Sequence, residues 1–148
     1  VGVPIDPFNV FAWWHARRSK VTVEVRHALS DAPSVIDLND IRPAPKVYRL
    51  EIVTTNHGER TEYMTSITIK AADGSASQEI VPTETSSSPI QPREPLQTEV
   101  RLDRLGFDAT GLELRVIAHL TSGDVSSPPT RLDDALLAEL EEHNRRAG

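Results

Sequence analysis

The sequence predicts an all-β fold, an antiparallel two-sheet sandwich of about seven strands, with an extended N-terminal arm and a C-terminal helix. Three observations carry this. Period-two alternation of β-branched and aromatic residues recurs in short runs. Turn residues separate those runs about every ten positions. No run of strand is followed by the repeated helical pattern that a parallel sheet needs.

The clearest pair of runs is residues 46–70, K-V-Y-R-L-E-I-V-T-T, then N-H-G-E-R, then T-E-Y-M-T-S-I-T-I-K. Tyr48, Leu50 and Ile52 alternate on one face of the first, and Tyr63, Ile67 and Ile69 on the second, with Thr65 between them. An Asn-His-Gly turn between alternating runs predicts a β-hairpin, with Asn56 and Gly58 supplying positive φ angles. His57 in that turn is a turn residue or a pH-sensitive contact.

Composition bounds the rest. A chain of 148 residues holds one domain with a real core. With 22 acidic and 16 basic side chains the formal net charge is −6, which repels phosphate backbones and disfavours nucleic-acid binding. Cysteine is absent, so disulfides, thiolate metal sites and Cys nucleophiles are excluded. No apolar window approaches the ~18–20 residues that span a bilayer. There is no secretory signal and no initiator Met, which suggests a processed or trimmed product. No Asn begins a glycosylation sequon.

Residues 1–19 form an arm. Pro4 and Pro7 keep its start extended. Phe8, Phe11, Trp13 and Trp14 then run into His15, Arg17, Arg18 and Lys20, and both tryptophans of the chain lie here. So concentrated an apolar mass needs burial. It is read either as an anchor, with rings in a partner's pocket or at a lipid headgroup layer, or as an arm folded back over an open sheet edge.

Residues 20–129 carry the sandwich. In K-V-T-V-E-V-R-H-A, Val21, Val23 and Val25 face in while Thr22, Glu24 and Arg26 face out. Residues 29–46 are broken by prolines, with a short strand expected over 35–38. A turn at Ala72-Asp73-Gly74-Ser75 leads to a strand over 78–81. Residues 82–95, rich in Ser and Pro, are a crossover or an exposed partner loop that cannot join a central strand. Leu96, Thr98, Val100 and Leu102 share a face; Leu105 and Phe107 plug the end of the core. Leu112, Leu114, Val116, Ala118 and Leu120 point inward from another strand. A tight turn at 122–124 precedes a last short strand over 125–127. Such a series fits an immunoglobulin-like sandwich best, without the cysteine pair of antibody domains.

Residues 130–148 change period. Leu132, Leu136, Leu140 and His143 recur at helical spacing, with Leu137 beside them. Thr130 with Asp133 reads as a capping-box start, and Arg145 and Arg146 complement the C-terminal dipole. The leucine stripe Leu132, Leu136, Leu140 suits a sheet, a neighbouring subunit or a second copy.

No catalytic pattern stands out. The five histidines lack metal-ligand spacing. His27 and His119 read as polar-face residues that meet only if their strands pair. No nucleophile elbow, phosphate loop or calcium loop occurs. Glu24, Glu51, Glu99 and Glu113 sit at outward positions, as on a solvated face. No cofactor and no small-molecule substrate is expected.

The runs W-W-H-A-R-R-S-K-V-T-V-E-V at 13–25, L-E-I-V-T-T-N-H-G-E-R at 50–60 and T-S-G-D-V at 121–125 resemble small immunoglobulin-like domains of actinobacterial and phage proteins of unassigned function. The resemblance spans roughly 13–129. It implies a binding or assembly role and transfers no catalytic residue. The expected function is therefore a non-enzymatic structural or protein–protein interaction module, an accessory or decoration subunit of a phage particle or other large assembly. Phe8, Phe11, Trp13, Trp14, Arg17 and Arg18 of the arm, with Leu132, Leu136 and Leu140 of the helix, would meet protein partners or further copies of the chain. The alternative is a membrane-surface domain held through residues 8–20, so that the expected locations are soluble, virion-bound or membrane-associated.

Overall fold

In the computed structural model, residues 20–31, 46–81 and 88–147 are described. Nine strands and one α-helix follow in order: β1 Val21–Asp31, β2 Lys46–Asn56, β3 Glu62–Ala71, β4 Ser77–Ile80, β5 Ser88–Ile90, β6 Pro95–Arg101, β7 Glu113–Leu120, β8 Gly123–Ser126, β9 Thr130–Arg131 and α1 Asp134–Ala147. Two antiparallel sheets result. The first has the order β1-β2-β6; the second runs β4-β3-β7-β8, with β5 added to β3 and β9 to β7. This is the two-sheet immunoglobulin-like sandwich that the sequence predicts.

The inward residues of both sheets make one core. Tyr48, Leu50 and Ile52 of β2 meet Ile67 and Ile69 of β3 and Leu114, Val116 and Ala118 of β7, all essentially without solvent contact. Val21 and Val23 seal β1, and Leu105 and Phe107 pack against one end as expected. Glu24, Glu99 and Glu113 lie outward and reach Arg26, Arg49 and Arg131.

The expected hairpin over 46–70 does not form. β2 and β3 belong to opposite sheets, because β1 occupies one edge of β2 from Val21↔Asn56 to Asp31↔Lys46 and β6 occupies the other. The segment between them is an inter-sheet corner built on Asn56, which is 1% exposed. Its Nδ2 donates to the carbonyls of Arg60 (2.6 Å) and Ile90 (3.0 Å), and its Oδ1 accepts the Gly58 N–H (2.9 Å). Neither Asn56 nor Gly58 takes a positive φ, contrary to expectation. Glycine at 58 serves a close approach instead: a Cβ there would lie 3.2 Å from Asn56 Oδ1, which would have to shift by a few tenths of an ångström.

Within β3 the alternation slips. The register against β7 runs Met64↔Leu120, then Ser66↔His119, so Thr65 is the extra residue of a β-bulge. Met64 therefore joins Ile67 and Ile69 inside, while Tyr63 is 45% exposed rather than inward. Part of the proline-rich crossover also becomes strand. β5 pairs with residues 62–64 at the sheet edge and buries Ile90, an edge position where Pro89 costs no central ladder bond. The strand expected over 35–38 lies outside the described residues.

The C-terminal boundary moves as well. Thr130 is no helix cap; it pairs with Leu114 as part of β9. The cap is Asp133, whose Oδ1 accepts the N–H groups of Ala135 (2.9 Å) and Leu136 (3.3 Å). Leu132 is buried, and Leu136, Leu137 and Leu140 pack half-buried against the same core, with α1 lying over β1 and β2. The helix is thus integral to the sandwich.

Candidate functional site

The arm residues Phe8, Phe11, Trp13, Trp14, Arg17 and Arg18 lie outside the described residues. Leu132, Leu136 and Leu140 pack in cis against this chain's own core, so that of the three occupants the stripe suits (a sheet, a neighbouring subunit or a second copy) its own sheet is the one in place. No helix among the described residues is long and apolar enough to cross a membrane, and no group of three His, Asp or Glu side chains among them is placed to hold a metal ion. Three features remain that bear on chemistry.

The first is a relay on the outer face of the six-stranded sheet. Thr68 Oγ1 lies 2.7 Å from His119 Nε2, and His119 Nδ1 lies 2.9 Å from Asp124 Oδ1. His119 points outward as expected, and the β7–β8 hairpin sets it opposite Asp124. Hydroxyl, imidazole and carboxylate stand in the order that hydrolases use, yet the surroundings do not suit acyl transfer. Thr68 sits mid-strand between β4 and β7, whose ladders take up the neighbouring backbone groups, so no pair of free N–H donors faces the hydroxyl. What the relay does is tie β3, β7 and β8 together across the sheet. Thr68→Val should accordingly cost only about 1 kcal/mol, the net worth of one hydrogen bond, in urea denaturation; a loss beyond 3 kcal/mol would show that the relay carries more than that.

The second is a groove of about 320 Å³ on the open side of the sandwich, between β6 and the β3–β4–β5 edge. Met64, Ile67, Ile80 and Leu96 line it, and Thr98 and Glu99 form its polar margin. Glu99 is engaged by Arg49 Nη1 at 2.5 Å. Ser88 and Gln97 complete the lining, so the wall is mainly apolar and its one carboxylate is already paired.

The third is the most connected polar cluster, centred on His27. The sequence places His27 on a polar face; in the structure it shares the parity of Val21, Val23 and Val25 and turns inward, half-buried. Its ring stands edge-on to Tyr48, centroids 5.8 Å apart. The Asp133 N–H donates to Tyr48 Oη (2.8 Å), which leaves the phenolic proton for His27 Nδ1 (2.6 Å). His27 Nε2 lies 2.8 Å from Thr130 Oγ1, and in the tautomer protonated at Nε2 it donates to that hydroxyl. Burial holds the His27 pKa below the ordinary 6.5, against an opposing pull from the Asp133 carboxylate. Burial likewise raises Tyr48, although the Asp133 N–H works the other way. The cluster joins β1, β2, β9 and the start of α1. Strand parity at 27 was the one signal in the sequence that could have found it. His57, by contrast, takes part in the turn, with Nε2 2.9 Å from Thr22 Oγ1.

No protein-family model matches the chain, and no curated protein matches it. A solved structure, the X-ray structure of Northeast Structural Genomics Consortium target SoR45, is similar over 78% of this chain and 88% of its own, at 15% identity and a TM-score of 0.49.

Proposed function

We propose that the chain is a non-enzymatic protein-interaction module, a rigid sandwich that presents the aromatic and basic arm of residues 1–19 to a protein partner in a larger assembly. One observation supports this above the others: a continuous core closes among residues 21–140, α1 included. The cluster Phe8, Phe11, Trp13 and Trp14 thus precedes a body that already has an interior, and aromatic groups beside Arg17 and Arg18 have the composition of an interface anchor. The polar constellations support the same reading, since their hydrogen bonds join strands to one another. Its concrete form is an accessory or decoration subunit of a phage particle, which rests on the sequence resemblance alone.

The test compares the full chain with a W13A/W14A variant, both immobilised, for retention of protein from a lysate of the source. Flotation with anionic vesicles runs in parallel. A protein held by the full chain and lost by the variant is expected. Retention by neither would overturn the reading, and flotation of the full chain abolished in the variant would replace it with attachment to a membrane surface.

A further inference from the structure

We infer that the His27–Tyr48–Asp133–Thr130 cluster is an acid-sensitive latch, which holds α1 on the sandwich while His27 is neutral and releases it when His27 is protonated. The inference is independent of the partner proposed above, because it concerns the isolated chain. It follows from a count of donors and acceptors. In the neutral state every group is used in one direction, from the Asp133 N–H to the Tyr48 hydroxyl, from that hydroxyl to His27 Nδ1, and from His27 Nε2–H to Thr130. Tyr48 is 1% exposed, so no solvent replaces a lost partner.

A proton on Nδ1 turns the acceptor of the middle bond into a donor. Two N–H groups then point at the one phenolic oxygen, and its own proton loses the acceptor it had at Nδ1. The cationic ring also attracts the Asp133 carboxylate. That carboxylate is the cap of α1, bonded to Ala135 and Leu136, and moving it toward the ring uncaps the helix. Both consequences fall on the first turn of α1. Release there uncovers Leu136 and Leu140 together with the end of the core beneath them.

Several other charged groups on the surrounding elements are already paired. On β1 itself Glu24 and Arg26 bind each other on the opposite face. On β2, Arg49 is held by Glu99 of β6, outside the sandwich. Glu113 of β7 faces Arg131 of β9 at 4.0 Å, and Asp124 of β8 is engaged by His119. Asp134 of α1 acts on Tyr48, which leaves Asp133 as the charge felt at the His27 ring. Because burial lowers the His27 pKa in the folded chain, the unfolded chain takes up the proton first as pH falls. The contribution is therefore complete above 6.5 and is lost progressively below it, through the folded-state value.

The experiment is native-state hydrogen exchange on the full chain at about pH 7.5 and about pH 5, corrected for intrinsic rates. Amides of residues 135–140 should lose protection by about tenfold or more and at about pH 5 exchange well ahead of those of 67–70 and 114–118. His27→Gln retains a donor and an acceptor without titrating, and should hold α1 at both pH values. Nitrogen spectra of the imidazoles give a readout that needs no variant. The His27 ring should carry its proton on Nε2 at neutral pH and become doubly protonated with the same midpoint as the loss of helix protection. Equal protection at both pH values, pH-dependent loss that persists in His27→Gln (His143 on α1 would then be its source), or a neutral ring protonated on Nδ1 would each overturn the latch.

Discussion

Asn56→Ala is expected to destabilise the fold by about 2–4 kcal/mol, since three backbone groups lose a partner, one at a buried site where the loss costs about 1–3 kcal/mol and two at part-buried sites where it costs less. The carbonyls of Arg60 and Ile90 and the N–H of Gly58 all depend on this one side chain. Those groups belong to two segments: the corner between β2 and β3, which also touches Lys20 through the His57 N–H to its carbonyl at 3.0 Å, and the end of β5. The backbone of Asn56 adds a fourth tie, because its carbonyl accepts the Arg93 N–H at 2.6 Å. Arg93 itself adopts a φ of 63°, a conformation residues other than glycine rarely take, at the point where its N–H meets Asn56. Asn56→Asp is the sharper companion. It keeps the acceptor for Gly58 but sets a carboxylate against two carbonyl oxygens, and its cost should exceed that of alanine above the carboxylate pKa and shrink in acid. Thermal melts check both. At roughly 2–4 °C per kcal/mol for a domain of this size, the alanine variant should melt about 10 °C lower. A loss under 1 kcal/mol would mean that water serves the corner as well as Asn56 does.

The same corner shows what could be read from the chain and what could not. The faces of β2 and β7 were legible because burial enforces alternation, and a residue's own parity settles its side. Pairing is a different kind of fact. An Asn-x-Gly turn between two alternating runs says that a hairpin is locally feasible, but not that β1 and β6 compete for both edges of β2. The bulge at Thr65 was hidden for a related reason. Tyr63, Thr65, Ile67 and Ile69 satisfy period two, and only the partner register reveals the slip that brings Met64 inside. At His27 chemical identity misled: a titratable side chain among valines reads as polar-face, although its parity is inward. Its partners Tyr48, Thr130 and Asp133 lie 21, 103 and 106 positions away in sequence (27 to 48, 130 and 133), and the relay of Thr68 with His119 spans 51. Such clusters are made by sheet pairing, so beyond the inward parity of His27 local pattern holds no trace of them.

Ending the chain after Arg131 should have the largest effect, because the helix supplies interior rather than an attachment. Leu132 is 6% exposed and loses its burial outright, worth about 2 kcal/mol, while Leu136, Leu137 and Leu140 are half-buried and lose about 1 kcal/mol each. Tyr48 also loses the Asp133 N–H that satisfies its buried hydroxyl. The sum, about 5 kcal/mol or more, is comparable with the whole stability of a domain this size, roughly 5–15 kcal/mol. The truncated chain should therefore melt without cooperativity or collect in aggregates, as seen by circular dichroism and light scattering. A graded variant keeps the test readable if nothing soluble is obtained. L136A/L140A removes two half-buried side chains and should lower stability by about 2 kcal/mol while leaving the sheets intact. A truncated chain that melts within a few degrees of the full one would reverse the conclusion. The sandwich would then be complete without α1, and the stripe of Leu132, Leu136 and Leu140 would be available to a partner after all. The latch at His27 and this truncation thus interrogate one contact from two sides: the first asks whether acid opens it, the second what its closure contributes.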